Sequence, residues 1–474
     1  MIAGADLCFL PATELVRRLR DGDISAREVV GAHLARIEHV NPAVNAIVTL
    51  VADRALERAA WADEAMAHGE PTGRLHGVPI AHKDLVATAG IRTTSGSPIF
   101  ADTVPDADDL LVERAGAAGV IVLGKTNTPE FGAGSQTFNP VFGATRNPYD
   151  LTKTCGGSSG GAAVALACGM VPIADGSDLG GSLRNPASFC NVVGFRPTPG
   201  RVPSWPSTDV WQDLSVEGPM ARTVEDAALL LSVLSGPDPR VPISRVESGA
   251  GFAPPLDADL GRPVVAWAPA ADGAMPFDPC IPDVVDGARG VFESLGCRTD
   301  DAFPDVRDAR EVFLTMRAHM FAGDLGELLV EHRRDIKATV VWNIEQGLQL
   351  TGADLARAER MRTDLVERAA AFFARYDFLV MPVTQVVPFD VRVEFPTEID
   401  GVAMATYLDW MESCWCITVM GSPAISVPCG FSHEGLPVGL QIVGRRGDDL
   451  GVLQLAHAFE RATRVGDRRP PEPA

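Results

Sequence analysis

Seven small or slim apolar residues in a row, Ala162-Ala163-Val164-Ala165-Leu166-Ala167-Cys168, stand between two glycine-rich turns. No other feature limits the fold as much. The turns read Gly156-Gly157-Ser158-Ser159-Gly160-Gly161 and Gly176-Ser177-Asp178-Leu179-Gly180-Gly181-Ser182. The run between them reads as a helix with almost no side-chain bulk. Such a helix can lie deep in a protein and let two backbone turns approach each other. Glycine has no Cβ, so main-chain N–H groups at Gly180 and Gly181 are open to an oxygen of a bound molecule. Taken alone, the pattern fits equally well a packing helix between two ordinary loops.

Gly156-x-Ser158-x-Gly160 also has the spacing of a nucleophile elbow, which needs a hydrophobic strand directly before the serine. The preceding Asn147 to Thr154 is polar and turn-like, so the elbow reading is weak. Lys83 is the second point of interest, because it closes the apolar run Gly77-Val78-Pro79-Ile80-Ala81-His82-Lys83. Most strand-end lysines are solvated. On a buried strand, however, a lysine loses hydration, its pKa falls and it can serve as a base. His76 and His82 compete for that role, each more simply explained as structural.

The 474 residues allow a large core and, on length alone, two or three domains. An apolar share of 46%, a charged share of 22% and a net charge of −21 describe a soluble globular protein. That acidic balance argues against nucleic acid or an anionic membrane as partner. The nine cysteines are odd in number and scattered, which suits reduced thiols in the cytoplasm. No paired Cys/His spacing suggests a metal site. The first residues lack a secretory pattern, and the longest apolar stretch is too short to span a bilayer.

Helices are expected at 11–19, 25–39 (capping box Ser25-x-x-Glu28), 53–68, 108–118, 224–234 after Thr223, 306–333, 353–376 and 449–462. Strands are expected at 45–50, 77–84, 119–124, 263–268 and 378–381, with a hairpin over 424–431 and 437–443. The alternation predicts an α/β fold with a mixed or parallel sheet. Residues 125–150 and 199–219 read as irregular, and no internal repeat is present.

With Lys83, Ser158 and Ser182 in view, the chain resembles the amidase signature family of hydrolases. Gly-Val-Pro-x-x-x-Lys-Asp at 77–84, Gly-Gly-Ser-Ser-Gly-Gly at 156–161 and Gly-Ser-Asp-Leu-Gly-Gly-Ser at 176–182 stand in the family's order. Ser158 and Ser182 are 182 − 158 = 24 positions apart, and Lys83 precedes Ser158 by 158 − 83 = 75, as in the family. The segments 124–132 and 424–428 also match, and the likeness is weakest between about 239 and 376. The resemblance implies a mixed central sheet with helices on both faces. It implies Ser182 as nucleophile, Ser158 as bridge through a cis Gly157–Ser158 peptide, and Lys83 as base. Leu179, Gly180 and Gly181 would supply oxyanion N–H groups, and Asp178 and Arg184 would orient the turn. Ser177, Leu179 and Arg196 depart from the commoner family residues.

Carried further, the likeness divides the chain into a core of 1–239 and 377–474 and a variable, mostly helical insertion of 240–376 that shapes the pocket. It implies no cofactor, a small-molecule substrate and, as an allowed assembly, a homodimer. Phe131, Trp410, Cys414 and Trp415 are the expected pocket residues, with Trp205, Trp211, Met316 and Met320 positioned to converge on the same cleft. Lys and Arg are nearly absent around 400–430, and burying an unpaired charge is costly. The expected substrate is therefore a neutral, largely apolar or aromatic amide, with esters and carbamates alongside. Two alternatives stand. One is the amidase-type component of a glutamine-dependent, tRNA-dependent amidotransferase, disfavoured by Asn185 and Gly200 to Trp205. The other is a binding protein without turnover.

Overall fold

Runs such as Ile121–Thr126 and Phe378–Pro382 carry few outward polar residues, as strands covered on both faces must. The computed structural model, which describes residues 7–472, assembles these runs into one sheet of eleven strands. In chain order they are β1 (Ile47–Leu50), β2 (Pro79–Lys83), β3 (Ile121–Thr126), β4 (Ile173–Asp178), β5 (Val193–Arg196) and β6 (Val216–Ala221). The remainder are β7 (Val264–Trp267), β8 (Arg298–Asp301), β9 (Phe378–Pro382), β10 (Ala424–Phe431) and β11 (Pro437–Gly444). Their spatial order is β1-β3-β2-β4-β6-β5-β10-β11-β9-β7-β8. β2 runs parallel to β3 and β4, and β7 runs parallel to β8 and β9. The other pairs are antiparallel, so the sheet is mixed as expected.

The helices are α1 (Ala12–Asp21), α2 (Ala26–Val44), α3 (Ala52–Ala67), α4 (Leu110–Ala117), α5 (Gly160–Ala167), α6 (Arg184–Phe189), α7 (Val224–Leu234) and α8 (Cys280–Asp286). They continue as α9 (Arg289–Ser294), α10 (Ala309–Leu325), α11 (Leu328–His332), α12 (Ala338–Leu348), α13 (Gly352–Phe373), α14 (Glu412–Met420) and α15 (Asp449–Thr463). The capping box starts α2: Ser25 Oγ accepts the Glu28 N–H at 3.1 Å and Glu28 accepts the Ser25 N–H at 2.8 Å. The slim helix is α5, and every one of its residues is buried. It lies against β2, β3, β4 and β6. A Cβ at Gly161 would stand 2.3 Å from the Asn127 backbone nitrogen, so only glycine permits this approach.

Four strands escaped the reading of the sequence: β4, β5, β6 and β8. Ile173-Ala-Asp-Gly-Ser-Asp178 looks like a turn, yet it runs through the middle of the sheet. Its two aspartates tolerate burial because each is hydrogen-bonded, Asp175 to β2 and Asp178 to two arginines. The helix expected at 306–333 divides into α10 and α11 at Gly326, a poor helix former. α12 was not foreseen. Residues 240–376 also supply β7 and β8, which extend the sheet beyond β9. That stretch is therefore part of the sheet as well as a helical cover.

Candidate active site

Lys83 ends β2 with its side chain wholly buried. Its Nζ donates to three hydroxyls, Ser158 Oγ at 2.7 Å, Ser159 Oγ at 3.0 Å and Ser177 Oγ at 3.0 Å. Burial lowers the Lys83 pKa to about 7, against the opposing charges of Asp175, Asp178 and Glu217. The backbone behind it is held by Asp175, whose Oδ1 accepts the Lys83 N–H at 3.0 Å. The other oxygen of Asp175 lies 2.5 Å from His82 Nδ1, which makes His82 a structural partner. His76 bonds the Ala62 carbonyl and stays outside the site.

The two serine turns meet in space. The Ser159 N–H donates to the Ser182 carbonyl at 3.2 Å, and the Gly157–Ser158 peptide is cis. The segment before Ser158 is turns and bridges rather than a strand, so this is no elbow. Exposure rises along the series, from 0% at Lys83 to 2% at Ser158 and 8% at Ser182. The amine is thus dry, and Ser182 is the least buried of the three. Among the described residues no hydrogen bond joins the Ser158 and Ser182 hydroxyls directly.

The turn bearing Ser182 hangs on Asp178 at the end of β4. Its carboxylate accepts the N–H groups of Gly181 and Leu183 and the Arg184 guanidinium through Nε at 3.0 Å and Nη2 at 2.9 Å. Arg196 approaches the same carboxylate at 3.3 Å. Burial pushes this carboxyl up, but the charge and hydrogen bonds of Arg184, with Arg196, hold it well below the usual carboxylate range. Arg184 also reaches the Cys414 carbonyl, Gln441 and Thr418. Asp178 and Arg184 therefore orient the turn.

One expectation changes here. The Gly181 N–H is already given to Asp178 Oδ1 at 3.0 Å, which removes it from the expected oxyanion set. The N–H groups of Leu179 and Gly180 have no partner among the described residues. Gly181 instead supplies shape: its φ is +110°, and a Cβ there would stand 2.6 Å from the Cys414 Cβ.

The expected pocket residues separate. Phe131 and Leu179 join Met320 in a small apolar cluster with Ala133, Phe321, Val340 and Ile344, apart from the main core. Trp415 stacks on Phe313 at 5.2 Å, and the Phe313 ring would meet a Cβ on Gly180 at 3.2 Å. Cys414 lies buried beneath Gly181, its thiol donating toward Asn185 and the Val383 carbonyl. Trp410 is 1% exposed and packed between Phe189 and Phe389 in the core, and Trp415 is as deeply buried. Trp205 lies under Arg240 rather than in the cleft. Trp211, Met316 and Met320 line a groove of about 810 Å³ between the 208–214 loop, α10 and α13, which neither Ser182 nor any of the four expected pocket residues lines. Sequence reasoning missed Ser159, Ser177 and Phe313. The doubled serine at 158–159 was a usable signal; nothing in the sequence marks Phe313.

Taken together, a buried amine on three hydroxyls next to the glycine-rich turn of Ser182 suits serine-based acyl transfer. The family model described as Amidase matches residues 28–453. The chain belongs to the amidase signature family. It is 35% identical over 468 residues to the acylamidase of Rhodococcus erythropolis, covering 98% of each chain. A bacterial aryl acylamidase structure superposes with a TM-score of 0.91 at 30% identity, over 98% of this chain and 99% of that one. A glutamyl-tRNA(Gln) amidotransferase component from Moorella thermoacetica is 36% identical over 499 residues, covering 98% and 99%. This family member is an amide hydrolase. No helix among the described residues is long and apolar enough to cross a membrane.

Proposed function

We propose that this amidase cleaves the C–N bond of neutral, largely apolar or aromatic amides such as anilides, with aryl esters and carbamates as further substrates, through an acyl-enzyme on Ser182. The observation that carries the reading is the buried Lys83 amine 2.7 Å from Ser158 Oγ, beside the turn of Ser182. With its pKa near 7, much of Lys83 is neutral at neutral pH. The neutral amine takes the Ser158 proton, Ser158 takes the Ser182 proton, and Ser182 Oγ attacks the carbonyl carbon. Catalytic hydrogen bonds commonly tighten only when substrate binds, and the Ser182–Ser158 link is assigned to that step. The Leu179 and Gly180 N–H groups receive the developing oxyanion, at about 3 kcal/mol per donor. The C–N bond breaks as the proton returns through Ser158 to the leaving nitrogen. Water then repeats the sequence on the acyl-enzyme and releases the acid. Phe131, Leu179 and Met320 offer partly exposed apolar surface near this point, with Phe313 and Trp415 packed behind Gly180, which favours an aryl or alkyl body.

The test is a turnover screen of purified protein against anilides, primary amides, aryl esters, carbamates and glutamine, with a serine-directed phosphonylating reagent. Faster cleavage of neutral aryl amides and an adduct on Ser182 are expected. An adduct on Ser158 or Ser159 overturns the nucleophile. Preferred release of ammonia from glutamine would favour the amidotransferase reading, which the 36% identity to the Moorella protein keeps in play.

A further inference from the structure

One helical turn from the ring that backs Gly180 stands a buried cation that the proposed reaction does not use. Arg317 lies on α10, is 4% exposed, and has no carboxylate partner among the described residues. One of its three guanidinium nitrogens is engaged: Nη2 donates to Tyr407 Oη at 2.8 Å. Nε is buried with no acceptor. The guanidinium lies over the rings of Phe321 at 4.1 Å and Tyr407 at 5.8 Å, contacts that soften its charge but accept no N–H in the guanidinium plane. Nor has Tyr407 much left to offer, since Asn343 Nδ2 donates to the same hydroxyl. Leaving a buried donor unmet is costly, so an acceptor brought by a bound molecule would find it ready.

Three neighbours locate Arg317 relative to the chemistry. Four residues before it on the same helix face is Phe313, whose ring abuts Gly180. Four residues after it is Phe321, which packs in the cluster holding Leu179 and Phe131. Its partner Tyr407 would lie 3.8 Å from a Cβ on Gly134, two residues from Gly132, whose own Cβ would stand 3.6 Å from Ser158 Oγ. Arg317 therefore stands about one helical turn, roughly 5.4 Å along α10, beyond the residue that backs the oxyanion turn. That is about the length of one aromatic ring.

We infer that Arg317 is a specificity-determining residue that receives an oxygen acceptor at the far end of the substrate's aryl or apolar portion. The inference rests on the proposed substrate class and deepens it: the body is apolar, and its remote end carries an uncharged acceptor such as a carbonyl or nitro oxygen. The planar fork suits two such contacts, through Nη1 and Nε.

The experiment compares kcat/KM for anilides para-substituted with nitro, acetyl, carboxylate or methyl, on the acyl ring and on the aniline ring in turn. Intrinsic reactivity cancels when each acceptor-to-methyl ratio in Arg317→Met is divided by the same ratio in the parent enzyme. On one of the two rings, that quotient is expected to fall about 10-fold or more, with the methyl substrate within about 3-fold of the parent. Arg317→Lys keeps charge and stem but loses the fork, so an intermediate fall is expected. It provides the same readout if the methionine variant does not fold. A quotient near one in a folded variant, or equal losses on acceptor and methyl substrates, overturns the role. Melting-temperature shifts with the corresponding benzoates and anilines need no turnover. If no aryl amide is cleaved but acceptor ligands still stabilise the parent more than Arg317→Met, the substrate class fails and Arg317 stands. If neither shift depends on Arg317, the inference fails by itself.

Discussion

At the scale of single residues, the proposed relay makes Lys83 the group that sets the pH dependence. Only its neutral form has a lone pair for the Ser158 proton, and burial puts its pKa at about 7. Activity is therefore lost as pH falls through that value: kcat/KM should drop tenfold per unit well below it and level off above, read from a pH–rate profile. Lys83→Met should lower anilide turnover by about 10³-fold. Aryl esters should suffer less, because a phenolate leaves without a returned proton. Equal losses on both would refute the relay. The same depressed value has a consequence for stability. Between about 7 and 10.5 the unfolded chain binds a proton that the folded one does not, so this group favours folding more as pH rises through that window. Lys83, Ser158 and Ser182 were legible from their motifs. Ser159 and Ser177 were not, because which hydroxyls reach an amine depends on how β2, β4 and the turn before α5 converge.

At the scale of elements, the turn between β4 and α6 is held by one carboxylate facing two arginines. Removing one partner of a buried charged group leaves the others uncompensated, which costs about 3–5 kcal/mol. Asp178→Asn should destabilise by that order in denaturant melts and lose activity in parallel, since the two arginines lose their counter-charge and the amide keeps only one of the two oxygens that accept the Gly181 and Leu183 N–H groups. Unchanged stability would show that the clamp is dispensable. Because Arg184 and Arg196 hold the carboxyl well below its ordinary range, the clamp persists into mildly acidic conditions and is lost only as pH falls through that low value. Helices with strong apolar periodicity, such as α7 and α13, were readable in advance. β4 was not: its Asp-Gly-Ser-Asp composition suits a central strand only once the partners of those aspartates are known.

At the scale of the whole molecule, the stretch 240–376 is both sheet and cover. β7 pairs in parallel with β9, whose residues are all buried, and α10 packs Phe313 against Trp415 and Phe321 into the cluster that holds Phe131 and Leu179. Replacing 240–376 with a short linker should therefore not yield a smaller working enzyme. It would bare an edge of β9 and the apolar face beneath α10, and such edges aggregate. Loss of soluble expression, or a product lacking near-ultraviolet circular dichroism, is the expected result. A soluble, cooperatively melting truncation would contradict it. The net charge of −21 adds a further expectation for the intact chain: no salt-dependent affinity for tRNA in filter binding.

By itself the sequence determined the α/β class, the family and the three residues assigned to the chemistry. Glycine-rich turns, a bulk-free helix and a strand-end lysine are local constraints, and their meaning survives without coordinates. Only the tertiary structure decided which N–H groups are spent and which are free, because Gly181 is committed to Asp178 through a bond that no spacing announces. It also decided packing. Trp410 and Trp415 are five positions apart and both lie in the core, yet one packs between Phe189 and Phe389 and the other stacks on Phe313 beside Gly180. The reason is physical: burial and partnership depend on elements distant in the chain, and a side chain's type does not record what packs against it.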